Sequence, residues 1–173
     1  MDQYIKLAKK SIKSHLAGQT LKVEVKKLPQ EMTQKRAGVF VSLHKKDSGH
    51  LRGCIGTFLP TKDNLAQEII DNARAAAFSD PRFPALKKDE LDNLKIKVDV
   101  LNPPQLVKSK KELDPQKYGI IVKNKLGQVG LLLPDIAGIK TRQEQLSVAG
   151  QKAGFSPEEN NYQIYRFTVT RHQ

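Results

Sequence analysis

Two alternating segments joined by a short polar turn constrain the fold most tightly. In residues 38–44, Val39, Val41 and Leu43 fall on one side of an extended chain, and Phe40, Ser42 and His44 on the other. A polar stretch, 45–49, follows, and 51–58 reads as a second strand. Together they predict an antiparallel hairpin with a loop longer than the tightest kind. Pro60 ends the second strand. The period then changes: Leu65, Ile69, Ala73 and Ala76 make an apolar stripe over a helix predicted at 64–78, with Thr61 or Asp63 as its cap. The run Ala75-Ala76-Ala77 suggests close packing against a neighbour. Ser79-Asp80-Pro81 stops the helix, because proline cannot continue it.

The same reading extends along the chain. Ile5, Ala8, Ile12 and Leu16 predict an amphipathic helix over 4–17, with Gly18 where a left-handed C-terminal residue belongs. Leu21, Val23 and Val25 predict a short strand before Pro29. A helical turn is expected at 89–94 and a strand at 96–101. A hairpin is expected from 118–122 and 129–133, and a helix at 141–152 closed by Gly154. One final strand is expected at 162–170. Hairpins with helices between them favour an α+β fold, a largely antiparallel sheet flanked by helices, over a regular βαβ series. At 173 residues the chain is long enough for one sizeable domain, 1–173, or for two small lobes sharing a core.

The formal charge of +12 suggests a nucleic-acid partner. The basic residues, however, are mostly lysines spread along the whole chain. Aromatic residues are 6% and there is no Trp, so a base-stacking platform is poorly supplied. A Lys-rich solvated surface accounts for the same composition. No apolar run is long enough to span a membrane, and the N-terminus has no signal-peptide h-region. One cysteine cannot form an intramolecular disulfide, which points with the rest to a reducing cytoplasm.

That cysteine sits in Leu51-Arg52-Gly53-Cys54-Ile55-Gly56. Strand alternation places Arg52 and Cys54 on one face, and a guanidinium beside a thiol favours the nucleophilic thiolate. Gly53 and Gly56 mark a close approach by a ligand or by another backbone. Cys54 reads equally as a small buried hydrophobe, and the glycines as relief of crowding against the alanine-rich helix. A second motif, Asp80-Pro81-Arg82-Phe83-Pro84, is stiffened by two prolines. It reads as a binding loop that presents Asp80 and Arg82 at low entropic cost, or as a helix-terminating turn in which Asp80 bonds local amides. His15, His44, His50 and His172 show no metal-ligand spacing, and no cofactor motif is present.

LRGCIG followed by DPRFP resembles the AMMECR domain family, in prokaryotes the protein A component of the AmmeMemoRadiSam system. Further segments match in order: Gly38-Val39-Phe40-Val41, VDVLNPP at 98–104, GLLLP at 130–134, Lys152-Ala153-Gly154 and Tyr165-Arg166-Phe167. The chain departs from the usual pattern at Gly150, where a cysteine is common, and at Lys97, where an acidic residue is frequent. The resemblance implies an α+β domain with two lobes and a cleft to which the LRGCIG strand contributes. It also implies association, physical or genetic, with Memo-type and radical-SAM proteins. It supplies no reaction.

Three functions compete. In a cysteine-centred enzyme, Cys54 is the nucleophile, Arg52 its activator or an anion binder, and Asp80 or His44 the proton handler. In a binding module, Arg52, Gly53, Gly56, Arg82 and Phe83 line a site for an acidic small molecule, a peptide or a partner protein. In the third, bulk positive charge binds nucleic acid. The binding module is favoured, because no convincing general base is present.

Overall fold

The computed structural model describes residues 2–21, 27–156 and 161–173. The strand expected around Val23 and Val25 lies outside these residues. The chain divides into two compact units, Met1–Leu101 with Thr170–Gln173, and Asn102–Val169. Each has its own four-stranded sheet and its own core, so the expected sheet is in fact two.

The first unit holds helices α1 (Gln3–Leu16), α2 (Gln30–Gln34) and α3 (Leu65–Phe78). Its strands are β1 (Val39–Lys45), β2 (Leu51–Thr57) and β3 (Leu94–Leu101), in a sheet of order β2-β1-β3-β8. Val39, Val41 and Leu43 are fully buried while Phe40, Ser42 and His44 are only half-buried, as the alternation predicts. The buried face of β1 meets Ile12 of α1, Ile69 and Ala73 of α3, and Val98 of β3 in one apolar cluster. Gly18 takes a φ of +64° after α1, the conformation its position predicts.

The cap of α3 is neither Thr61 nor Asp63. Asn64 fills that place, its side-chain oxygen accepting the Gln67 N–H at 3.0 Å. Thr61 is drawn instead to Glu68, which is 1% exposed within α3. The Glu68 carboxylate accepts from the Thr57 hydroxyl at 2.6 Å, the Thr61 N–H at 2.8 Å and hydroxyl at 2.9 Å, and the Lys62 N–H at 2.8 Å. One buried charge thereby fixes the whole connection from β2 to α3.

The second unit holds β4 (Gln105–Leu106), β5 (Gly119–Asn124), β6 (Val129–Leu132), helix α4 (Arg142–Ala153) and β7 (Tyr162–Phe167), in the order β4-β7-β5-β6. Ile120, Val122, Leu132, Leu146, Ala149 and Ile164 fill its core. Thr141 and Glu144 form a capping box at the start of α4, and Gly154 ends it at φ +80°. The strand expected at 162–170 is two strands. Thr168 interrupts it, accepting the Asn102 N–H on its carbonyl and the Asn102 amide on its hydroxyl, both at 2.9 Å. Beyond the break, β8 (Val169–His172) joins the other sheet.

Candidate functional site

β2 is the edge strand of its sheet. Its pairing with β1 runs Ser42 to Cys54 and Leu43 to Gly53, then slips so that His44 faces Leu51. Arg52 is the extra residue of a β-bulge, a feature that re-aims a side chain and bends the strand. Strict alternation predicts Arg52 beside Cys54, and the bulge breaks that alternation. Arg52 engages Glu90 instead: Nε donates to Oε1 at 2.8 Å and Nη2 to Oε2 at 3.1 Å. Glu90 also accepts the Lys87 N–H at 2.8 Å. The Arg52 hydrogen bond is the main reason that the Glu90 carboxyl is held below its usual range.

The guanidinium that donates to Cys54 belongs to Arg82, whose Nη2 reaches the Cys54 carbonyl at 3.2 Å. Asp80 accepts the Cys54 N–H at 2.8 Å. It also accepts from Arg82 three times, from the backbone N–H at 3.1 Å, Nε at 3.0 Å and Nη2 at 2.7 Å. Both backbone groups of Cys54 thus have side-chain partners from the DPRFP loop. The prolines on either side of Arg82 and Phe83 hold that loop at low entropic cost. The two readings of the loop meet here: Asp80 bonds a local amide as in a turn, and also anchors the loop to β2.

Asp80 is 4% exposed. Its carboxyl lies far below the ordinary carboxylate range, chiefly through the Arg82 side chain, with the amides of Cys54 and Arg82 adding to the effect and burial opposing it. A general base works best with a pKa near the operating pH. Asp80 is therefore ill-matched to the proton-handling role, and its geometry is that of an anchor. Asp80→Asn is expected to cost about 1–2 kcal/mol at neutral pH, a figure discounted because Arg82 is well exposed. A carboxyl with a depressed folded pKa stabilises fully above its unfolded value, here 3.8, and loses that stabilisation as pH falls. Urea unfolding midpoints of wild type and variant should therefore converge in strong acid.

Arg82 is held protonated mainly by its hydrogen bond to Asp80, with the Cys54 side chain a lesser contributor. Cys54 itself is half-buried. Its register partner Ser42 pairs in turn with Lys97, so these three share one face across three strands. His44 faces Leu51, and its Nδ1 lies 3.1 Å from the Gly49 carbonyl within the hairpin turn. Phe83 is half-buried, its ring centroid 6.0 Å from the Arg52 Cζ and 5.5 Å from the Arg82 Cζ.

The two glycines make room for protein. A Cβ on Gly53 would overlap the Ala76 carbonyl of α3, and a Cβ on Gly56 would overlap the Phe40 ring. The crowding expected against the alanine-rich helix is real at Gly53, which leaves that position no room for a ligand on its core face. Sequence reasoning missed Glu90 and Glu68. Glu68 carried a signal: it falls within the apolar stripe of α3, between Leu65 and Ile69, where a carboxylate needs buried donors.

An α+β chain with a clamped cysteine strand at the edge of an antiparallel sheet is the class that fold and site define. The AMMECR1 family model matches residues 5–172, and the chain belongs to that family. A protein of Thermotoga maritima is 51% identical over 98% of this chain and 97% of its own length. A Clostridium acetobutylicum protein is 45% identical over 99% of this chain, which spans 36% of that longer relative. The crystal structure of an uncharacterised protein from Pyrococcus horikoshii superposes with a TM-score of 0.87 at 31% identity, covering 97% of this chain and 88% of the other. Among the described residues no helix is long and apolar enough to cross a membrane.

Proposed function

We propose that this protein is a recognition module whose binding surface is built on β2 and the DPRFP loop. Its partner is an acidic ligand or protein surface in a pathway served by Memo-type and radical-SAM proteins. The Asp80 clamp carries this reading. It uses the buried Asp80 carboxylate beside Cys54 as an anchor, ill-matched to a base, so the constellation is rigid and carries an ordered arginine. Asp80 holds Arg82 by its backbone N–H, Nε and Nη2, and yet the Arg82 side chain is 56% exposed. A pre-ordered, partly exposed arginine beside an aromatic ring is the type of group that dominates binding interfaces.

The pathway assignment rests on the family resemblance, and the test is direct. A Memo-type protein and a radical-SAM protein are titrated against this chain by calorimetry. Arg82→Ala is expected to weaken binding by about 2 kcal/mol, roughly thirtyfold, while Cys54→Ser leaves it unchanged. Circular dichroism checks that both variants are folded. Absence of binding to either protein would remove the pathway reading. Loss of function in Cys54→Ser with intact partner binding would restore the nucleophile in its place.

A further inference from the structure

Arg52 is 6% exposed, and among the described residues its buried Nη1 has no hydrogen-bond partner. A guanidinium carries five N–H donors in a planar fork. Glu90 occupies the side formed by Nε and Nη2. The other side, made of both Nη1 donors and the remaining Nη2 hydrogen, has the geometry that receives a second oxyanion end-on. Leaving charged donors buried and unpaired is costly, and such groups in a native protein call for an explanation. The only aromatic ring that lies over this guanidinium among the described residues is Phe83, at 6.0 Å, and it also lies over Arg82.

The local charge favours an anion. Glu90 neutralises Arg52, and Asp80 neutralises Arg82. Lys45 also acts on Glu90 electrostatically, and Lys87 and Lys88 are exposed on the segment leading to it. Asp89 follows these lysines on the same segment, so beside the two neutral pairs three positive charges stand against one negative. The ring that covers Arg52 belongs to an anchored loop, but the ring itself turns on its own side-chain torsions.

We propose that the unpaired edge of Arg52 is an oxyanion-binding site for a carboxylate or phosphate group, covered by Phe83 and opened when that ring swings aside. This deepens the recognition reading by naming the chemical group that the surface takes. The bound oxyanion completes the fork of Arg52, and Arg82 shares the Phe83 ring with it.

The test uses the whole chain labelled uniformly with 15N. Inorganic phosphate and succinate are titrated separately at constant ionic strength while the Arg52 side-chain resonances are followed. One of the two anions should shift these resonances saturably, and which one does so distinguishes phosphate from carboxylate recognition. Phe83→Ala should tighten apparent binding about tenfold, because it removes the cost of opening the cover. Arg52→Lys, which keeps charge and removes the planar fork, should weaken it about tenfold. Unmoved resonances with both anions, in wild type and in Phe83→Ala, overturn the site. So does a shift that Arg52→Lys leaves unaltered at its neighbouring amides. Partner binding that persists alongside such a negative result would leave the recognition module standing and remove only the oxyanion site.

Discussion

Replacing Gly53 by alanine should destabilise the first unit by about 3 kcal/mol, near the upper end of overpacking costs. The added methyl would overlap the Ala76 carbonyl oxygen, a backbone atom of a helix, which cannot rotate away as a side-chain end could. Relief would need α3 to withdraw from β2, and with it the contacts of Ile69 and Ala73 in the core. The second unit has the same arrangement: a Cβ on Gly130 of β6 would overlap the Ala149 carbonyl of α4. Gly130→Ala is expected to cost a similar amount. Gly127→Ala is the control. It has open space around it but a φ of +82°, so it should cost only about 1 kcal/mol through backbone strain. Urea midpoints that fall for the first two variants at an unchanged slope would confirm steric destabilisation. Near-wild-type midpoints for Gly53→Ala would contradict the close approach of α3.

Glu68→Ala should be comparably damaging, at about 3 kcal/mol, because it leaves two amides and two hydroxyls without their acceptor. Glu68→Gln should cost about half as much, since its amide keeps one acceptor oxygen. Burial alone pushes the Glu68 carboxyl upward, and the donors from Thr57, Lys62 and Thr61 together more than offset it, leaving the group below its usual range. The sign follows: Glu68 stabilises fully above its ordinary value of 4.5 and progressively less as pH falls through the folded value. Wild type should lose stability in acid over that range, and Glu68→Gln should lose less. A parallel pH dependence in the two proteins would show that the carboxylate does not carry the loop. The same loop holds Phe58 and Leu59 exposed at its tip, so their mobility should rise in Glu68→Ala.

Patterns with a local cause were legible in the residues. The stripe of α1, the alternation of β1, the glycine after each of α1 and α4, and the hairpin across Asn124–Gly127 all follow from spacing within a few residues. The site was half legible. Cys54, Asp80, Arg82 and Phe83 come together, with the Asp80–Cys54 hydrogen bond joining residues 26 apart in sequence. The companion of Arg52 was not legible, because a one-residue bulge leaves no mark in the hydrophobic pattern and yet redirects the side chain. Nor was the interruption at Thr168, which depends on Asn102 lying 66 residues earlier. Both misses arise where a long-range polar contact overrides a local period.

The clamp on Cys54 has a consequence beyond recognition. An edge strand with free amides and carbonyls is a template on which a strand from another molecule can add. At Cys54 the donor is covered by a carboxylate and the acceptor by a guanidinium, so the middle of β2 offers an incoming strand neither group. The DPRFP loop is therefore a polar hem on the sheet, closing the edge at Cys54 to strand addition.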